Sequence, residues 1–182
     1  YIDVGLQVQG SIVVLDEAWR YTTTGSSFLG DASGAVGSIT VRNSGSRFDT
    51  ADRSYVGSNG EGSLTIENGG RATVSSLSYI GYNPASVGEA TVRGDGSSWD
   101  NNSHLYVGYS GNGTLDVEEA GLVESSSGYI GLNAGSTAVA TVTGPDSTWT
   151  NQYNLFVGFN GDGTLNIEDG GLVSSGYDTY VG

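Results

Sequence analysis

Few residues in this chain could carry chemistry, and nearly all of them recur. Asp95 and Asp100 lie on one stretch, and Asp146 reads as the position of Asp95 one repeat later. Glycoside hydrolysis needs two carboxylates about 5–10 Å apart. Acids that return with a repeat are more simply turn formers, and no acid–base–Arg cluster breaks the pattern, so no catalytic residue is assigned. Asn59-Gly60-Glu61-Gly62 and Asn160-Gly161-Asp162-Gly163 have the outline of calcium turns. Calcium wants about six to eight oxygens converging on one point. The column here, Gln9, Glu61, Asn112 and Asp162, would place one side chain per double repeat, about 10 Å apart in a stack. Asx-Gly turns account for these loops without metal. His104 is the one His in a chain without Cys, which makes it a corner residue rather than a ligand. Thr40, Thr65, Thr91 and Thr141 form one column interrupted by Asp116 and Asn166, not the flat paired-Thr face that ice binding wants. Nucleophile elbow, phosphate loop and HExxH are all missing from the sequence. The expectation is a protein without catalysis, cofactor or metal.

A series of aromatic residues remains. Phe28, Tyr55, Tyr79, Tyr106, Tyr129, Phe156 and Tyr180 are each followed by an aliphatic residue and a Gly, at steps of 27, 24, 27, 23, 27 and 24 residues. Longer phrases repeat with them. Leu105-Tyr106-Val107-Gly108 and Gly113-Thr114-Leu115-Asp116-Val117 return as Leu155-Phe156-Val157-Gly158 and Gly163-Thr164-Leu165-Asn166-Ile167. An earlier copy is Ser54-Tyr55-Val56-Gly57 with Gly62-Ser63-Leu64-Thr65-Ile66. This is a repeat protein, and the repeat governs every other reading.

The elements that must position the aromatic series are short strands. Dividing at the aromatic signal gives short units of roughly 3–27, 55–78, 106–128 and 156–179, and long units of 28–54, 79–105 and 129–155. Each holds two runs of apolar/polar alternation bounded by Gly, Asn, Asp or Ser, and none holds ten residues of helical period. Apolar positions align from unit to unit in three columns. One is Val4, Leu29, Val56, Ile80, Val107, Ile130, Val157 and Val181; the second is Val14, Val41, Ile66, Val92, Val117, Val142 and Ile167. The third is Ile12, Ile39, Leu64, Ala90, Leu115, Ala140 and Leu165. Stacking the units at about 4.8 Å packs each column on itself and pairs each strand with its neighbours. The fold expected is all-β: a right-handed parallel β-helix of about seven coils of 23–27 residues, in a 50-residue double repeat. Phe48, Trp99 and Trp149, with Leu105 and Leu155 opposite Ser78 and Gly128, are expected to fill the space left where the third column carries Ala.

The whole of 1–182 reads as one β-helix segment, with an atypical first coil over 1–27 and regular coils over 28–182. In the first unit Glu17-Ala18-Trp19-Arg20 replaces the Gly69-Gly70-Arg71-Ala72 type of corner, and Leu15 replaces a Glu. Tyr1 and Gly182 both fall in mid-repeat, so a longer array is expected. Gly supplies 31 of 182 residues against an average of about 7%. No G-X-Y period accompanies it, which excludes collagen, and the apolar periodicity excludes disorder. Six Arg and no Lys stand against 20 acids, a net charge of −14. That field repels phosphate backbones and anionic lipid, so nucleic acid is not expected as a partner. No apolar run reaches the roughly 18 residues of a membrane span, so no direct membrane insertion is expected of this segment.

The repeat phrase resembles the passenger repeats of bacterial autotransporters (type V secretion). It runs Tyr106-Val107-Gly108, Gly111, Gly113-Thr114-Leu115, Gly121, then Tyr129-Ile130-Gly131, Thr141-Val142-Thr143-Gly144, Trp149 and Leu155. The resemblance covers nearly all of 28–182 and weakens over 1–27. It implies a right-handed β-helix exported to the bacterial cell surface or secreted, and a role in adhesion, aggregation or as a structural stalk. The partners implied are a surface protein or glycan of a host or neighbouring cell, or a second copy. The alternative is a carbohydrate-binding or carbohydrate-active β-helix whose catalytic coils lie elsewhere.

Two side-chain ladders follow from the register. Arg42, Glu67, Arg93, Glu118, Thr143 and Glu168 would stand one per coil outside the second column, alternating in sign over their first four members. The aromatic series is the candidate binding site. Tyr106 lies between Leu105 and Val107, so strand alternation turns it outward if they face the core. Phe28, Tyr55, Tyr79, Tyr106, Tyr129, Phe156 and Tyr180 would then form an outward column roughly 30 Å long. Such rings either stack to shield the following glycines or give glycans or a second copy a surface to dock on.

Overall fold

The computed structural model describes residues 2–4, 9–14 and 20–182. Every regular element among them is a strand, and the strands form three parallel sheets. The first sheet stacks Ile2–Val4, Ser27–Leu29, Ser54–Val56, Ser78–Ile80, Leu105–Val107, Gly128–Ile130, Leu155–Val157 and Thr179–Val181. The second stacks Gln9–Val14, Val36–Arg42, Glu61–Glu67, Val87–Arg93, Asn112–Glu118, Thr137–Thr143 and Asp162–Glu168. The third stacks Arg20–Thr23, Arg47–Thr50, Arg71–Val74, Ser98–Asn101, Leu122–Ser125, Thr148–Asn151 and Leu172–Ser175. The chain visits the sheets in that order on each turn, and Phe28 to Tyr180 is six turns of a β-solenoid. Each turn thus has a third strand beyond the two that alternation marked.

All three apolar columns are in register. Ile80 pairs with Val56 and Val107, Val92 with Ile66 and Val117, and Ala90 with Leu64 and Leu115. Inward side chains of the three sheets meet in one continuous core from Leu29 to Val157. Trp99, Trp149 and Phe48 are its largest members. They alternate along the third sheet with Ala72, Val123 and Val173, so each indole sits between small residues, while Phe48 lies between Ala72 and the ring of Tyr21. Gly128 shows how tight the fit is. A Cβ there would lie 2.7 Å from Trp149 Cζ2, 2.7 Å from Asn151 Oδ1 and 2.9 Å from Leu155 Cδ1. The indole occupies the volume that a side chain at Gly128 would need.

A polar seam runs through this core. Ser27 Oγ donates to Ser54 Oγ at 3.1 Å, and Thr50 Oγ1 to Ser27 Oγ at 3.3 Å. Ser78 donates to Asn101 Oδ1, and Ser125 to Asn151 Oδ1 at 2.7 Å. Trp149 Nε1 donates to Ser125 Oγ at 3.3 Å. Trp99 Nε1 is buried without an acceptor, because Val74 stands where Trp149 finds Ser125.

The corner after the second sheet takes a positive φ in each turn whose corner is described, at Asn43, Asn68, Gly94, Glu119, Gly144 and Asp169. This corner corrects one alignment. Asp146 does not repeat the place of Asp95. Ser97 donates to Gly94 and Ser147 to Gly144 across equivalent turns, which puts Pro145 at the place of Asp95. Asp146, at φ 65°, stands where Gly96 has φ 76°. The replaced corner Glu17-Ala18-Trp19, together with Leu15, lies outside the described residues. Arg20 pairs with Asp49 of the next turn at 2.6 Å.

Candidate functional site: the outward aromatic ladder

Three-residue strands give the first sheet one outward side chain per turn. Leu105 and Val107 are wholly buried, and Tyr106 between them points outward. The strand pairing places Phe28 beside Tyr55, Tyr55 beside Tyr79, and so on to Tyr180. Six successive ring pairs have centroids 4.6–5.1 Å apart and planes within 20° of parallel. All seven residues singled out in the sequence belong to this one stack. The glycine after each aromatic pair is what lets the chain turn close beneath it. Gly57 has φ 75°, and a Cβ there would come within 2.2 Å of the Val87 carbonyl oxygen.

The stack uses up the faces of its own rings. Tyr55 and Tyr79 keep only 7% of their surface exposed, and each lies between two parallel neighbours. The face-on docking allowed by the sequence therefore has no free ring faces in the middle of the ladder. Edges and hydroxyls remain.

A second aromatic row covers part of those edges. Tyr82 meets Tyr55 edge-on at 4.9 Å and Tyr79 at 4.8 Å. Tyr109 meets Tyr79 at 5.2 Å and Tyr106 at 5.4 Å, and stacks on Tyr82 at 5.1 Å. Phe159 sits edge-on to Phe156 at 5.6 Å. Their signal lay in the sequence: each follows the Gly of its phrase, three residues after a ladder ring. Asp31, Ser58 and Leu132 at the same place break the column and hid it.

This enclosure shifts titrations. Burial, then the neighbouring Tyr129 and Tyr109 hydroxyls, pushes Tyr106 up to about 12. Burial raises Tyr79 further and also raises Tyr82. Arg53 is held above its usual value, first by a hydrogen bond with the Tyr55 hydroxyl. Phenols held protonated in this way serve as neutral hydrogen-bonding groups at neutral pH, not as bases.

The other candidates separate in the structure. Glu61, Asn112 and Asp162 alternate with Val87 and Thr137 along the second sheet, so consecutive members stand two rungs apart. Gln9 pairs with Val36, also two rungs from Glu61. Among the described residues no three His, Asp or Glu side chains converge on a metal position. Asp95 lies on the corner before the third sheet and Asp100 within its strand. His104 packs edge-on to Tyr106 and Tyr129 at 6.2 and 5.8 Å, and burial lowers its pKa. Thr40, Thr65, Thr91, Asp116, Thr141 and Asn166 do form one column. Arg42 and Arg93 both reach Glu67, at 3.4 and 2.6 Å, while Glu118 pairs with Arg93 in register without an ion pair of its own.

Comparison with family models, with curated proteins and with solved structures gave no match. The likeness to autotransporter passengers rests on the repeat phrase alone.

Proposed function

We propose that the chain is a segment of a β-helical surface passenger, exported to the bacterial surface or secreted, that acts as a stiff stalk in adhesion or aggregation. One observation carries this reading. Seven rings stack without a break over six turns, outside a core that is itself continuous. A column of stacked aromatics along one edge resists bending between coils, because any bend must open ring contacts worth about 0.5–1.5 kcal/mol each. A rod that holds its length suits a part that spans distance between a cell and what it meets.

Changing the length tests the proposal. A second copy of residues 106–155 inserted after Leu155 adds two coils, about 10 Å. Small-angle scattering should show a longer rod of unchanged cross-section. Displayed on a non-adherent bacterium beneath a known binding module, the longer form should extend that module's capture range. A lengthened chain that bends or collapses would overturn the stalk reading, and so would release of sugar fragments from a polysaccharide by the purified segment.

A further inference from the structure

A groove of about 350 Å³ lies on the outer side of the third sheet, where the chain turns toward the first. Asp100, Asn102, Glu124, Ser126, Thr150 and Gln152 line it. It crosses three coils, because Asp100 pairs with Glu124 and Glu124 with Thr150. The volume falls in the range of small-ligand sites, about 300–1,000 Å³.

Two features set this patch apart from the rest of the solenoid. First, Asp100 and Glu124 are like charges directly opposed on neighbouring strands, an arrangement that destabilises a sheet. It recurs on this sheet at Arg20, Arg47 and Arg71, where Asp49 supplies a counter-charge to Arg20 and Arg47. Further down the same column Asp49 is held by Arg20 at 2.6 Å and Arg47 at 3.1 Å. The carboxylates of Asp100 and Glu124 have no such ion pair. Second, an exposed ring stands next to a lining residue in the chain. Tyr153 follows Gln152 and donates its backbone N–H to the Ser126 carbonyl at 2.7 Å. It is 43% exposed and pairs with Tyr177 at 5.8 Å. The same corner one and two turns back holds Ser126 and Ser103, too small to cover a ring.

We propose that this groove binds a neutral oligosaccharide, with Asp100 and Glu124 accepting from its hydroxyls. Asn102 and Gln152 offer amide donors and acceptors, and Tyr153 supplies an apolar platform for a sugar face. The two carboxylates and the net charge of −14 exclude uronates and sulfated sugars. A calcium ion needs about six to eight converging oxygens, and no third His, Asp or Glu joins the pair among the described residues. A basic peptide would answer the charges but leave the amides and the ring unused. The site is independent of the stalk reading, because it needs the groove and not the ladder.

Titration of the whole chain by calorimetry and by NMR tests the assignment. The probes are short gluco-, manno- and galacto-configured oligosaccharides, their uronate and sulfated counterparts, and an Arg-rich peptide. At least one neutral sugar should bind with a Kd of about 0.1–1 mM. Glu124→Gln and Tyr153→Ala should each weaken it about tenfold with unchanged circular dichroism, and Glu89→Gln, on the second sheet, should leave it alone. Three results would overturn the proposal: no neutral sugar binding up to about 10 mM, binding unaffected by both groove variants, or binding of the peptide alone.

Discussion

Truncating one ring in the middle of the ladder and one at its end separates a scaffold from a contact surface. Tyr79 has four aromatic neighbours: Tyr55 at 5.0 Å, Tyr106 at 5.1 Å, Tyr82 at 4.8 Å and Tyr109 at 5.2 Å. Each such contact contributes about 0.5–1.5 kcal/mol beyond burial, so four of them amount to roughly 2–6 kcal/mol. Neighbouring contacts are not independent, and large-to-small changes at buried aromatics cost about 3–5 kcal/mol. Tyr79→Ala should therefore destabilise by about 3–5 kcal/mol, although the side chain faces outward. Tyr180 has one stacked neighbour, Phe156 at 4.9 Å, and is 49% exposed. Its replacement by Ala should cost about 0.5–1.5 kcal/mol. Urea unfolding followed by the fluorescence of Trp99 and Trp149, both fully buried, reads both values from the midpoint at constant slope. Equal costs for the two variants, or a Tyr79→Ala cost below about 1 kcal/mol, would refute the view that the stack holds the coils together.

Three further outcomes are expected. Gly128→Ala should cost about 1–3 kcal/mol by overpacking, and less in a Trp149→Phe background, which removes one of the three close contacts, so that the two changes fail to add; additive costs in a double-mutant cycle would refute the volume argument. Val74→Thr offers the orphaned Trp99 indole an acceptor and should be neutral or stabilising, whereas Val92→Thr, with no donor in need, should cost about 1–3 kcal/mol by thermal or urea unfolding. Asp116 is raised above the ordinary carboxylate range, first by burial and then by Glu118, so the folded state binds its proton more tightly than the unfolded one. Its charge therefore opposes folding at neutral pH and ceases to do so below the unfolded pKa of about 3.9. Asp116→Asn should stabilise at pH 7 and lose that advantage in acid, and an advantage that grows in acid would contradict the sign.

The solenoid was legible because a stack imposes one rule on every coil. An inward position must suit the same position above and below it, so Val56, Ile80, Val107 and Ile130 repeat with little change. The third sheet was harder to see. Its strands are four residues long and carry Thr50, Asn101, Ser125 and Asn151 inward, which blurs the apolar alternation. Position was also mistaken where residue type was matched before backbone. Asp95 and Asp146 are both acids within two residues of the corner Gly, Gly94 or Gly144, yet only Asp146 sits at a positive φ. The charge ladder kept its register but formed fewer ion pairs than its alternating signs suggested. Arg93 donates through both Nε and Nη2 to Glu67 Oε2, at 3.0 and 2.6 Å, and so turns away from Glu118.

Outward columns are free of the stacking rule, which makes the exceptions informative. The aromatic ladder faces outward and yet is uniform over its seven rings. Rings at 4.6–5.1 Å leave no room for water between them, so a smaller residue at any step would open a gap beside two apolar faces. Uniformity there is accounted for by packing. The third-sheet column of Asp49, Thr73, Asp100, Glu124, Thr150 and Ser174 has no such constraint, and its chemistry changes from turn to turn. Within it, Asp100 and Glu124 stand opposed without an Arg, at a place where packing gains nothing from them. A costly arrangement that the fold does not require is where a ligand is to be sought, and that places recognition on the irregular face and stiffness on the regular one.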